Sequence, residues 1–267
     1  MLSDRVRAPA LAFILAALTS AGGDDEAVPD GGGGAPDASA DAGSDAGPID
    51  TGEDLCPGLL TFEALVADAA SGVAAFEVAV AEVGGSASTT SAPNGRAQLC
   101  LPVGADSQVR STRDDHLARL DTLLTDAIET INGAVQPYPL DVLETAAADA
   151  LLTDLTLTRD EEASLLLVSV VAYPDGEPLV GATVAIDKAS DGAFARDAVG
   201  AFVASAKGEV GVGRVLLFAN TALGGVGEAG RVAITVTPPD SFDGTCVGPP
   251  TVELEAGGLS GALYACQ

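Results

Sequence analysis

Apolar residues recur at every second position along much of the chain beyond residue 58, and this period restricts the folds that the chain can adopt. A period of two is typical of strands with one buried face, whereas a helix needs a period near 3.6. Turn-forming residues separate these runs about every ten residues, as in β-sandwiches. The clearest stripes are Leu60, Phe62, Ala64 and Val66, and later Ala182, Val184 and Ile186. The sequence therefore predicts a mainly β protein.

The size of the core sets the number of domains. The chain has 267 residues, which allows one large or two small domains. It holds only seven Phe and three Tyr, and no Trp, so large side chains for a single extensive core are scarce. We predict two small β-sandwiches, at residues 55–140 and 159–267, joined by a helical connector at 141–158.

Turn signals place several strands. Asn94-Gly95 lies between two strand-like runs and predicts a hairpin, because both residues tolerate positive φ. Pro102 indicates that the following strand, within Arg96–Val103, ends at a sheet edge. Gly257-Gly258 is the turn predicted before the end of the chain. The strand-like runs of the second half are Leu165–Tyr173, Leu179–Ile186, Val210–Phe218, Arg231–Val236 and Thr251–Cys266.

Two segments between the halves have helical character. Residues 141–153 consist of good helix formers, and one face could be lined by Val142, Ala146, Ala150 and Leu151, which predicts a helix. Residues 114–132 carry a leucine and isoleucine stripe that fits a helix. The same stretch also fits an extended closing strand of the first sandwich, so both interpretations stay open.

The first 54 residues resemble an export signal and a spacer. Arg5 and Arg7 precede an eleven-residue apolar run, Ala8–Leu18, and small residues follow. This order is typical of a secretory signal peptide at 1–21, and the run is shorter than the roughly 20 residues of a transmembrane helix. Residues 22–54 contain ten acids, no base and no aromatic residue, which predicts a disordered acidic linker. The alternatives, an uncleaved anchor or a disordered start, stay open.

The net charge excludes several partners. Twelve Lys and Arg stand against 39 Asp and Glu, a formal charge of -27. Such a chain repels nucleic-acid phosphates and anionic membrane surfaces. We expect no nucleic-acid partner and no membrane-spanning segment in the mature chain.

Four cysteines, Cys56, Cys100, Cys246 and Cys266, are expected to form disulfides in an exported chain. Three pairings are possible. We favour Cys56–Cys100 and Cys246–Cys266, since each pair then lies within one predicted domain. A metal site is disfavoured because no CxxC spacing and no neighbouring His occur.

Turn and strand motifs in both halves carry a family resemblance. Asp68-Ala69-Ala70-Ser71-Gly72 and Thr90-Ser91-Ala92-Pro93-Asn94-Gly95 form two such motifs, and Asp175–Ile186 matches in the second half. These segments resemble carboxypeptidase regulatory-like domains. The resemblance implies transthyretin-like, Ig-like β-sandwiches, a non-catalytic role and a bacterial secreted or envelope protein. Ala74-Ala75 stands where the family usually has Pro-Val.

The sequence contains few of the residue patterns that are typical of catalytic or metal sites. His116 is the one histidine, too few for a zinc carboxypeptidase centre, and no Gly-x-Ser-x-Gly elbow occurs. Its acidic neighbours indicate a surface residue. Asp187–Gly192 matches a calcium loop at only three positions, and Ala189 and Ala198 depart from it. We expect no enzyme activity, no cofactor and no metal.

The functional hypothesis follows from these features. We expect a secreted or cell-envelope protein with a structural, adhesive or surface-interaction role, and an unidentified surface protein or polysaccharide as its partner. A calcium- or carbohydrate-binding extracellular module is the alternative.

Overall fold

A computed structural model describes residues 56–69, 72–104, 106–124, 137–224 and 230–267. The predicted signal peptide and linker lie outside these residues. The described part contains one helix, α1 (Thr145–Asp154), and 17 strands. The strands are β1 Leu60–Asp68, β2 Ala79–Glu82, β3 Ser88–Thr90, β4 Arg96–Leu101, β5 Asp106–Thr112, β6 Arg119–Leu124, β7 Tyr138–Val142, β8 Ser164–Ala172, β9 Glu177–Pro178, β10 Thr183–Ile186, β11 Gly192–Arg196, β12 Phe202–Ala204, β13 Val215–Thr221, β14 Arg231–Thr237, β15 Cys246–Val247, β16 Thr251–Glu253 and β17 Leu259–Cys266.

These strands form one large central sheet and two small ones. The central sheet has 11 strands and runs in the order β12-β11-β13-β8-β17-β6-β5-β2-β3, with β9 and β15 paired to β8 and β17. One small sheet has the order β4-β1-β7 and the other β10-β14-β16. The mainly β prediction is therefore confirmed.

Alternating burial explains why the strands form and how the layers pack. In β1, Phe62, Ala64 and Val66 are fully buried against residues of β2, β4 and β7, as the period of two predicts. A second core joins β8 and β17 to the sheet β10-β14-β16, through residues such as Val168 and Ile234. Each small sheet thus forms a sandwich with its own part of the central sheet.

Residues on the two faces of β17 pack into different hydrophobic cores. Ala262, Tyr264 and Cys266 face the core beneath β10-β14-β16, whereas Leu259 packs with α1 and Leu263 packs against the first sandwich. Because successive strand residues point to opposite faces, the two small sheets cover opposite faces of the central sheet.

The last strand joins the two halves of the chain. β17 lies between β6 and β8 and is parallel to both, with Gly261 in register with Asp121 on one side and Leu167 on the other. We call β17 with its neighbours β6 and β8 the seam. The central sheet is thus continuous across the predicted boundary, and the division into domains at 55–140 and 159–267 stays a prediction.

Asn94-Gly95 does form a turn, but the predicted hairpin is wrong. The strand before it, β3, belongs to the central sheet, and the strand after it, β4, belongs to a small sheet. The turn therefore crosses between layers. Gly95 has φ +77°, and a Cβ there would overlap the carbonyl oxygen of Val66 in the neighbouring strand β1, so the backbones approach too closely for a side chain.

The connector differs from its prediction in where the helix begins. Residues 138–142 form β7, which pairs with β1, so α1 begins at Thr145 and not at residue 141. Its buried residues are Ala148 and Leu152, and of the predicted face within the helix only Leu151 packs against the core, partly buried. Tertiary pairing with β1 outweighs the local helix preference of residues 141 and 142. No helix in the described ranges is long and apolar enough to cross a membrane.

The ambiguous segment 114–132 contains a strand, and its residues beyond 124 lie outside the described ranges. Residues 119–124 form β6, which pairs with β5 and β17. Five of its six residues are buried, because both faces of the sheet are covered here. Full burial on both faces removes the alternating pattern that would have distinguished a strand from a helix.

Candidate functional site

A buried ion pair lies at the seam. Arg119 and Asp121 are two residues apart on β6, so their side chains point to the same face of the sheet. Arg119 Nε donates to Asp121 Oδ2 at 2.6 Å and Nη2 donates to Oδ1 at 2.7 Å. The carboxylate is fully buried and the guanidinium nearly so. The contact is a bidentate, charge-assisted pair.

Groups on the facing small sheet form the remaining hydrogen bonds of this ion pair. The Tyr138 hydroxyl donates to Asp121 Oδ1 at 3.1 Å, and Arg119 Nη1 donates to the carbonyl oxygen of Asp141 at 2.7 Å. Tyr138 and Asp141 both belong to β7, whereas the ion pair belongs to the central sheet. The polar cluster Arg119–Asp121–Tyr138 therefore ties the two layers of the first sandwich together.

Gly261 of β17, which has no side chain, leaves space for the polar cluster on the neighbouring strand β6. It lies opposite Asp121 in the β6–β17 register. A Cβ at this position would overlap Asp121 Oδ1 and lie 2.8 Å from Arg119 Nη2. Only glycine fits here, so the seam and the polar cluster depend on each other.

Burial and charge shift the ionisation of the cluster. Burial alone lowers the pKa of Arg119, but the charge and hydrogen bonds of Asp121 outweigh it and raise that pKa above its usual value. Burial, followed by the negative charge of Asp121, raises the pKa of Tyr138 well above 10. Arg119 is therefore charged and Tyr138 neutral at any physiological pH. Fixed in these states, the cluster has no proton to exchange and serves as a structural joint.

An apolar cleft of about 170 Å³ lies beside this cluster. Val171 of β8 with Leu263 and Ala265 of β17 form its floor, and Leu65 and Pro139 of the first sandwich form one wall. The rim includes Tyr173, Pro174 and Gly176. The cleft therefore lies where the small sheet β4-β1-β7 meets strands β8 and β17 of the central sheet.

Besides Tyr138 and Tyr173, two residues with polar side chains line this mostly apolar cleft, Ser169 and Arg214. They are neighbours, because Val170 N donates to the carbonyl oxygen of Arg214 at 3.1 Å and Ser169 pairs with Val215. Neither the Ser169 hydroxyl nor the Arg214 guanidinium has a hydrogen-bond or ion-pair partner among the described residues.

His116 lies apart from the cleft, and the surface position expected for it is wrong. Its side chain is only 5% exposed, because residues 116 and 117 bridge to Glu144 and Leu143 just before α1. Nδ1 lies 2.8 Å from the carbonyl oxygen of Asp114, and Nε2 lies 3.9 Å from Asp68 Oδ2. No serine is hydrogen-bonded to the ring in the described ranges, so the structure supplies no triad.

The cysteines pair as favoured. Cys56 bonds to Cys100 and Cys246 to Cys266, each within one half of the chain. The first disulfide fastens residue 56 to the edge strand β4, and the second fastens β15 to the last residue of β17. The two bonds are in different halves of the chain, so each pair of cysteines is a separate structural feature.

The partial calcium loop serves the backbone instead. Asp187 Oδ1 accepts from Ala233 N at 2.8 Å, and Asp191 Oδ2 accepts from Asn220 Nδ2 at 2.7 Å. Within the described ranges, no three His, Cys, Asp or Glu side chains are grouped so as to hold a metal ion.

The sequence carries one signal for the polar cluster. Arg119-Leu120-Asp121 places opposite charges two residues apart inside a leucine-rich run. A charged pair on one face of a buried strand must be satisfied internally, which points to a buried ion pair. No comparable signal marks Ser169 or Arg214, because the cleft is formed by strands distant in sequence.

Comparisons with known proteins give little beyond this. No protein-family model and no curated protein matches the sequence. Among solved structures, the Bacillus anthracis TIE protein is 13% identical over 78% of this chain and 34% of its own, with a TM-score of 0.24. Shaft pilin SpaA from Lactobacillus rhamnosus GG is 12% identical over 78% and 98%, with a TM-score of 0.21. This chain thus spans about a third of the TIE protein. Scores of this size carry no inference about function or assembly.

Proposed function

We propose that this chain is an exported β-sandwich protein with a structural or adhesive role at a cell surface or in the cell envelope, and that it is not an enzyme. The observation that carries the proposal is the presence of two disulfides, with no cysteine left free among the described residues. Disulfides persist in oxidising compartments outside the cytosol and are rare within it.

The positions of the disulfides support a role in which the chain must stay folded outside the cell. Cys56–Cys100 fixes the segment before β1 to β4 of the first sandwich, and Cys246–Cys266 fixes the strand that joins both halves. Closing loops of 44 and 20 residues stabilises the folded state by about 4 and 3 kcal/mol in the chain-entropy model.

The N-terminal sequence adds a route and a spacing to this proposal. Residues 1–21 act as a signal peptide, and residues 22–54 act as an acidic spacer between a surface and the sandwiches. The two halves are distant members of the carboxypeptidase regulatory-like group, on the strength of their turn motifs. The partner is a surface protein or a polysaccharide. No group of described residues favours the calcium-binding alternative.

Protease treatment of intact cells tests the location. In the organism that produces the chain, we expect protease added outside to remove the full-length protein, or the protein to be recovered from the medium. The matched control is the chain without residues 1–21, which should stay inside and survive the same treatment. Retention of both forms in the cytosol would overturn the proposal.

A further inference from the structure

We propose that the cleft at the seam is a binding site for a small amphipathic carboxylate, whose apolar body lies on Val171, Leu263 and Ala265 and whose carboxylate meets Arg214 and Ser169. The site is independent of the location proposed above. Such a ligand is either a free organic acid or the carboxyl end of a peptide with an apolar last residue.

The size of the cleft sets the size of the apolar body. A volume of about 170 Å³ is similar to that of an apolar cavity of about 150 Å³ that holds benzene. The floor is aliphatic, and Pro139, Pro174 and Tyr173 surround it. An apolar body of six to nine carbon atoms would cover this surface and release water from it.

The positive charge of Arg214 favours a ligand with a carboxylate. The chain carries 12 bases against 39 acids, so a cation without an acidic partner is uncommon in it. Arg96, Arg110, Arg119, Arg159 and Arg231 each have an ion-pair partner, whereas Arg214, like Arg113 and Lys207, has none in the described ranges, and of these three only Arg214 lines the cleft. A guanidinium in an apolar cleft attracts a carboxylate, with which it can form two parallel hydrogen bonds.

Charged neighbours surround this end of the cleft. Burial lowers the pKa of Arg196, the negative charge of Asp141 opposes that effect, and the positive charge of Arg214 adds to it. Arg196 and Arg214 therefore lie within electrostatic range of each other, and Asp141 partly balances their charge. Ser169 also lines the cleft, and its hydroxyl is an uncharged hydrogen-bond donor. An apolar cleft with a few convergent polar groups is the usual form of a small-molecule site.

Calorimetric titration of the full chain with 3-phenylpropionate tests the proposal. We expect saturable binding, with 3-phenyl-1-propanol, which lacks the charge, bound at least about tenfold more weakly. Acetyl-Gly-Phe and its C-terminal amide form the second pair of probes. Binding of the first acid alone identifies a free-acid site. Binding of both acids, or of the peptide acid alone, identifies a site that accepts a peptide end. If no acid gives saturable heat, or if the alcohol and the amide bind as tightly as their acids, the proposal is wrong.

Two variants in the cleft and one control variant outside it test whether the acid binds at this site. Arg214→Gln should weaken binding of the acid at least about tenfold, and Ser169→Ala should weaken it about threefold. Arg113→Gln removes the same charge at a residue that does not line the cleft, and it should stay within twofold of the unaltered chain. The amide NMR spectrum of each variant reports whether it is folded. A folded Arg214→Gln chain with unchanged affinity would overturn the proposal.

Discussion

Gly261 shows how one residue without a side chain holds the two halves together. It lets β17 lie directly against β6 at the point where Asp121 accepts from Arg119 and Tyr138. A buried ion pair adds little net stability over an apolar pair of the same shape, but the loss of one partner leaves a buried charge unpaired. The cluster therefore fixes the register at the seam more than it adds free energy.

Asp121→Asn should lower the free energy of unfolding by about 3–5 kcal/mol, because Arg119 would stay buried without a counter-charge. Urea denaturation measures the change. The control is Glu63→Gln, which breaks the partly exposed pair with Arg96 and should cost less than about 1 kcal/mol. Equal, small effects of both substitutions would contradict the role given to the cluster.

The free energy of unfolding should decline at alkaline pH, because Tyr138 keeps its proton in the folded state. Burial and Asp121 raise its pKa in the folded state, so above pH 10 the unfolded chain loses this proton while the folded chain keeps it. Stability is thus fully present below pH 10 and falls above it, by up to about 1.4 kcal/mol per pH unit for this residue. Burial raises the pKa of Tyr264 in the same way. Urea denaturation between pH 9 and 11 should show a shallower decline for Tyr138→Phe, and an unchanged slope would contradict the assignment.

At the scale of elements, alternation in the sequence identified strands but not their partners. The stripes on β1 and β10 predicted buried faces correctly, and Pro102 marked the end of an edge strand. The Asn94-Gly95 turn was found, yet its two strands lie in different sheets. Local turn chemistry fixes a change of direction, whereas the choice of partner strand depends on contacts between distant segments.

Several strands lacked the expected pattern. β7 was predicted as the start of a helix, since its pairing with β1 outweighs propensity. Six further strands were not predicted: β3, β5, β9, β11, β12 and β15. β12 is a short edge strand with two of its three residues exposed, so it has little apolar alternation. The cleft was not predictable either, because its walls come from β1, β8 and β17, which are distant in sequence.

Removal of the second disulfide should weaken the last strand. The double substitution of Cys246 and Cys266 by Ala releases β15 from β17 and should cost about 3 kcal/mol in the free energy of unfolding. The matched change at Cys56 and Cys100 should cost about 4 kcal/mol, since that loop is longer. Thermal unfolding without reductant measures both. A stability equal to that of the unaltered chain in either case would show that the bond adds nothing.

At the scale of the whole molecule, the central sheet bears on whether the halves act as separate domains. β17 comes from the end of the chain but pairs with β6 of the first half, and both small sheets pack on the same central layer. Neither half keeps all its strand pairings without the other. The division at 140 and 159 therefore describes the sequence, while we expect the folded chain to act as one unit.

Unfolding of the full chain should accordingly be a single transition. Tyrosine fluorescence and far-ultraviolet circular dichroism should give the same urea midpoint, and Asp121→Asn should shift both together. The fragment 159–267, which lacks β6 and β7, should be less stable than the same residues within the full chain. Two separate transitions would favour independent domains.

The redox state of the native protein tests the central claim, that this is an exported chain closed by two disulfides. The protein is taken from the organism that produces it, alkylated without reductant and weighed by mass spectrometry, with a reduced sample as control. We predict no alkylated thiol before reduction and four after it, with peptides linking Cys56 to Cys100 and Cys246 to Cys266. Four alkylated thiols in the unreduced sample would contradict the claim.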